Sequence, residues 1–131
     1  SYSLPAAMTG RTILRLDTGS NNGSVTNNLF GFSGYRGLSI RPSVSGWTIE
    51  NNEFRGIGVT LVDGEAIFME ADSSATIQGN LFAANYHAAI DMTSSLGNNT
   101  LIANNTFTGN TVGTGATQLF TIRLLGSGNT I

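Results

Sequence analysis

Short stretches with an apolar residue at every second position recur along the chain. They read Leu14-Arg15-Leu16-Asp17, Leu38-Ser39-Ile40-Arg41, Ile67-Phe68-Met69-Glu70, Ile90-Asp91-Met92-Thr93 and Phe120-Thr121-Ile122-Arg123. A period of two is the mark of a strand that buries one face. A second phrase recurs between them: an aliphatic residue, two variable residues, Asn, one variable residue, Phe. It reads Val25-x-x-Asn28-x-Phe30, Ile49-x-x-Asn52-x-Phe54, Ile77-x-x-Asn80-x-Phe82 and Ile102-x-x-Asn105-x-Phe107. Ile131, after Gly128-Asn129-Thr130, reads as the start of a fifth copy. These aliphatic anchors lie 24, 28, 25 and 29 residues apart.

The second apolar residue of each alternating stretch serves as a marker. The next anchor follows after 9, 9, 8, 10 and 9 residues, while the run from each Phe to the next marker takes 10, 15, 10 and 15. One connection is nearly constant and the other accepts a five-residue insertion in alternate repeats. Short strands joined by a fixed turn and a variable loop predict the coils of a solenoid. The loops fall at 55–66 and 108–118. No segment carries a convincing helical period, and Gly and Asn punctuate the chain too often for long helices. Pro5 and Pro42 sit near the start and just after a strand, where a ladder can spare a donor.

These phrases, with Gly- and Asn-rich stretches such as Ile102 to Asn110, resemble the right-handed parallel β-helix repeat proteins of pectate-lyase-like architecture. The resemblance covers roughly residues 11 to 131. It implies an all-β fold, a single-stranded right-handed parallel β-helix of about five coils, with residues 1–10 as an N-terminal extension or cap. It matches no specific enzyme family. The resemblance spans polysaccharide lyases and hydrolases, epimerases, phage tailspikes and adhesins.

Equivalent residues of stacked coils lie ~4.8 Å apart, so inward side chains form columns. The anchor column is Val25, Ile49, Ile77, Ile102 and Ile131. The aromatic column is Phe30, Phe54, Phe82 and Phe107. The marker column is Leu16, Ile40, Met69, Met92 and Ile122. The Asn column (Asn28, Asn52, Asn80, Asn105) has two physical uses: a left-handed backbone at a tight bend, and an amide ladder along the axis. The outward column after the markers reads Asp17, Arg41, Glu70, Thr93 and Arg123, which predicts ion pairs between neighbouring coils in its first three members. The column before the markers reads Arg15, Ser39, Phe68, Asp91 and Thr121, with Phe68 exposed as a contact point for sugar or protein. Arg41, Phe68, Glu70, Asp91 and Arg123 are thereby the candidate binding residues.

Composition narrows the function. Only 11% of the 131 residues are charged and the net charge is −2, so there is no patch to neutralise nucleic-acid phosphates. No apolar run approaches the ~18 residues of a membrane span. No basic, apolar leader begins the chain, and Ser1 in place of Met predicts a processed or excised chain. Cys is absent, which removes disulfides, thiolate zinc sites and cysteine nucleophiles. Glycoside cleavage needs two carboxylates across the scissile bond. The densest acidic region holds Asp63, Glu65, Glu70 and Asp72, with Asp91 one coil away. Glu70 and Asp91 are the candidate catalytic acids and His87, the lone histidine, the candidate base. Asp63 and Glu65 are the candidate Ca²⁺ ligands; no other cofactor is expected. The pectin-hydrolase motifs Asn-Thr-Asp, Asp-Asp, Gly-His-Gly and Arg-x-Lys are missing, as is a pectate-lyase calcium trio with its basic residue. Asn22, Asn98 and Asn104 begin N-x-Ser/Thr sequons, which matter only in a secreting, glycosylating host. Gly113 to Ala116 lacks the context and Lys of a phosphate loop.

A solenoid exposes apolar columns at its ends. Ile131 occupies an anchor position with no polar cap after it, which predicts either further coils of a longer chain or stacking on other copies, the geometry of a filament. The leading expectation is a secreted or cell-surface structural and interaction module, self-assembling end to end. The alternative is a polysaccharide-binding or polysaccharide-degrading β-helix, including a trimeric phage tailspike-type fragment.

Overall fold

The computed structural model describes residues 11–59, 64–93, 99–110 and 120–131. The expected cap at 1–10, Asp63, Asn98, and Gly113 to Ala116 lie outside them. Each coil lays down three short strands. The first holds β1 (Leu14–Leu16), β2 (Ser24–Thr26) and β3 (Leu29–Gly31); the second β4 (Leu38–Ile40), β5 (Trp47–Glu50) and β6 (Glu53–Arg55). The third holds β7 (Ile67–Met69), β8 (Ala75–Gln78) and β9 (Leu81–Ala83); the fourth β10 (Ile90–Met92), β11 (Leu101–Ala103) and β12 (Thr106–Thr108). β13 (Ile122–Leu124) opens a fifth. Among the described residues, the expected five coils are thus four sets of three strands and the first strand of another.

Strands stack into three parallel sheets. Sheet A runs β1-β4-β7-β10-β13, sheet B β2-β5-β8-β11 and sheet C β3-β6-β9-β12. The repeat phrases set the register: Val25, Ile49, Ile77 and Ile102 are successive partners in sheet B, and the four Phe residues are partners in sheet C. Their rings stack at 4.6, 5.0 and 5.0 Å between centroids, within 8° of parallel, a geometry worth about 0.5–1.5 kcal/mol per pair beyond burial. Leu16, Ile40, Met69 and Met92 complete the interior from sheet A. No coil buries its apolar face without a neighbour, so stacking and core formation are one event.

The marker of the last coil is a correction. Ile122 pairs with Ile90, and Leu124, not Ile122, follows Met92 in the column. Alternation is satisfied equally by Phe120/Ile122 and by Ile122/Leu124. The second choice places Arg123 opposite Asp91 and leaves Phe120 beneath the Arg123 guanidinium, 4.7 Å from it. Ile131 keeps its expected anchor position, since Thr130 bridges Leu101, but it is 77% exposed.

The Asn ladder is present. Asn52 and Asn80 each donate Nδ2 to the Oδ1 of the next ladder Asn, at 3.1 and 3.0 Å, and Asn28 does so to Asn52 at 3.2 Å. The backbone N–H of each also reaches that oxygen. The left-handed bend, however, belongs to the preceding residue. Asn27, Asn51, Gly79 and Asn104 have φ of 58°, 55°, 63° and 54°. The two roles assigned to one Asn are divided between neighbours: the bend turns the chain, and the next side chain points inward to tie coil to coil.

Candidate functional site

The outward face of sheet A carries Phe68, Asp91 and Arg123 in one column. Asp91 sits at the centre of β10, between Phe68 of β7 and Arg123 of β13 in register. It is wholly buried. An ionised carboxylate out of water must be paired and hydrogen-bonded, and Arg123 does both: Nε donates to Oδ1 and Nη2 to Oδ2, each at 2.6 Å. This two-pronged contact is the strong form of the pair. Asp91 in turn holds the Arg123 guanidinium above its ordinary pKa, chiefly through that hydrogen bond, with Asp91 and Glu65 charge adding to it against desolvation.

A second pair lies at the entrance to the strands. Gly37 N–H donates to the Glu65 carbonyl, which sets Arg36 beside Glu65 on adjacent coils. Glu65 is 1% exposed, and Arg36 Nε donates to its Oε2 at 2.8 Å. The guanidinium of Arg36 also covers the ring of Phe68, 3.4 Å from the centroid, and lies 4.7 Å from that of Tyr35. Phe68, expected to be exposed as a contact point, is therefore half-buried beneath an arginine.

His87 is 5% exposed, with its Nδ1 buried and without a hydrogen-bond partner among the described residues. No hydrogen bond joins it to Asp91. Its ring instead packs on Gly58, whose added Cβ would stand 2.9 Å from Cδ2. Gly58, at φ +82°, crosses directly over Gly64, so that a side chain on either would enter the other's backbone. These two glycines pinch the chain at the base of the 55–66 loop, and His87 fills the space beside the pinch.

The structure divides the candidate binding residues. Phe68, Asp91 and Arg123 share one column, whereas Arg41 and Glu70 pair with each other at the far end of the strands. Asp17, expected to face Arg41, pairs with Arg15 on its own strand end. Arg123 belongs to the column before the markers, not the one after. Of the candidate Ca²⁺ ligands, Glu65 is engaged by Arg36. Among the described residues, no three His, Asp or Glu side chains are grouped to hold a metal ion.

Residues 10–131 match the family model described as right handed beta helix region. The chain belongs to the right-handed β-helix family. No curated protein and no solved structure matches it. The family assignment carries fold and repeat, and it leaves the chemistry of the site to the side chains described above.

This β-helix also contains ladders absent from the expectations. Asn85 donates Nδ2 to Asn110 Oδ1 at 2.8 Å and to the Phe54 carbonyl at 3.0 Å, while Asn110 donates to the Phe82 carbonyl at 2.9 Å. The signal was there: Asn85 and Asn110 each stand five residues beyond a ladder Asn and three beyond a stacked Phe. A third run passes from Ala75 N–H to Thr100 Oγ1 and from Thr100 N–H to Asn129 Oδ1. On the corner between sheets B and C lies an open groove of ≈ 450 Å³, lined by residues that include Asn27, Leu29, Asn51, Glu53 and Leu81.

Proposed function

We propose that this right-handed β-helix is a structural and interaction module of a secreted or cell-surface protein, working through stacked coils rather than catalysis. The observation that carries the reading is the state of the buried acids. Glu65 and Asp91 are each locked to an arginine. The candidate acid Glu70 is held by Arg41, and Asp17 and Glu53 are likewise paired. A glycoside-cleaving pair needs one carboxyl that gives up a proton and one that attacks or activates water; a carboxylate bound through both oxygens by a guanidinium is poorly suited to either task. The low charge and the absence of Cys and Lys suit a Thr-, Ser- and Asn-rich extracellular wall. Association follows the same logic as the interior: a coil of equal cross-section, from this chain or a second copy, extends the columns of aliphatic, Phe and Asn side chains.

The test is incubation of the purified protein with uronate and neutral polysaccharides, read by new reducing ends and by unsaturated-uronate absorbance. No turnover is expected, and Glu65→Gln and Asp91→Asn should alter stability alone. Cleavage that is lost in either variant would overturn the reading in favour of a polysaccharide-degrading β-helix.

A further inference from the structure

We draw no further inference here: the strongest candidate, the open groove along the corner between sheets B and C lined by Asn27, Leu29, Asn51, Glu53 and Leu81, carries nothing because nothing in the structure shows what covers it.

Discussion

Replacing Asn80 by Leu tests the ladder where it is most buried. Asn80 is 1% exposed, and Leu has nearly its shape without its polar atoms. The wild-type Oδ1 accepts the backbone N–H of Asn52 at 2.9 Å and its Nδ2 at 3.1 Å. The Nδ2 of Asn80 donates to the Ile49 carbonyl at 2.9 Å, to the Gln78 carbonyl at 3.0 Å and to Asn105 Oδ1 at 3.0 Å. Asn52 Nδ2 keeps the Val25 carbonyl, and Asn105 Oδ1 keeps the Asn80 backbone N–H. Two buried backbone groups, the Asn52 N–H and the Ile49 carbonyl, are therefore left without their ladder partners. At roughly 1–3 kcal/mol each, the expected loss is about 4 kcal/mol. The single Trp47, held by its Nε1–H to the Ser20 carbonyl and packed on Gly23, reports unfolding by fluorescence, with circular dichroism as the second probe. For a urea slope of about 2 kcal/mol per molar, the midpoint should fall by about 2 M. The control is Asn28→Leu at the exposed end of the ladder, which orphans no buried group and should cost under about 1 kcal/mol. Equal midpoint shifts for the two variants, or a loss below about 1 kcal/mol for Asn80→Leu, would refute the argument that burial gives the ladder its strength.

Three further substitutions probe other parts of the coil. Arg123→Met leaves the Asp91 carboxylate buried and unpaired, so denaturation should show a loss of about 3–5 kcal/mol, partly restored by adding Asp91→Asn in a double-mutant cycle. Phe82→Ala breaks two stacked contacts at the centre of the aromatic column and should cost about 3–5 kcal/mol by the same assay, against much less for the half-buried terminal Phe107. Gly79→Ala forces a left-handed Ala, at about 1–2 kcal/mol, against Asn51 Oδ1 at 2.7 Å; thermal unfolding should show more than this backbone cost, and Asn51→Gly in the same chain, which removes that oxygen and tolerates the φ of 55° at position 51, should relieve the excess.

The interior was legible because its side chains repeat at the coil period. The four Phe and the first four anchors could be aligned by spacing alone, and parallel pairing places them as partners. Register failed where alternation is degenerate. Phe120, Ile122 and Leu124 offer two equivalent apolar pairs, and the Arg123–Asp91 contact that decides between them is a long-range fact. The division of labour between Asn51 and Asn52 was hidden for a related reason. Both are Asn, and sequence does not say which backbone turns left-handed and which side chain turns inward. Arg36 escaped notice because it lies outside both recurrent phrases, and its partner Glu65 follows a five-residue insertion that obscures the stacking of the connecting residues.

The acidic region shows how a chemical signal and a structural one converge on the same residues. Clustered carboxylates and a lone His are what the sequence offers for the alternative reading, a polysaccharide-degrading site. The solenoid face that carries the carboxylates, once coils are stacked, must place charges one coil apart with little water between them. Glu65 at 1% exposure and the fully buried Asp91 meet that constraint only because Arg36 and Arg123 lie on adjacent coils. Removing the arginine of such a pair leaves a bare buried carboxylate, so Arg36 and Arg123 are needed for coil packing whatever else the face does. Acid content in a β-helix repeat is thus informative about catalysis only after arginines in the neighbouring coils have been matched to it. Here that matching accounts for Glu65, Glu70 and Asp91, while His87 stands beside the glycine pinch with no hydrogen bond from its Nδ1 to a carboxylate among the described residues.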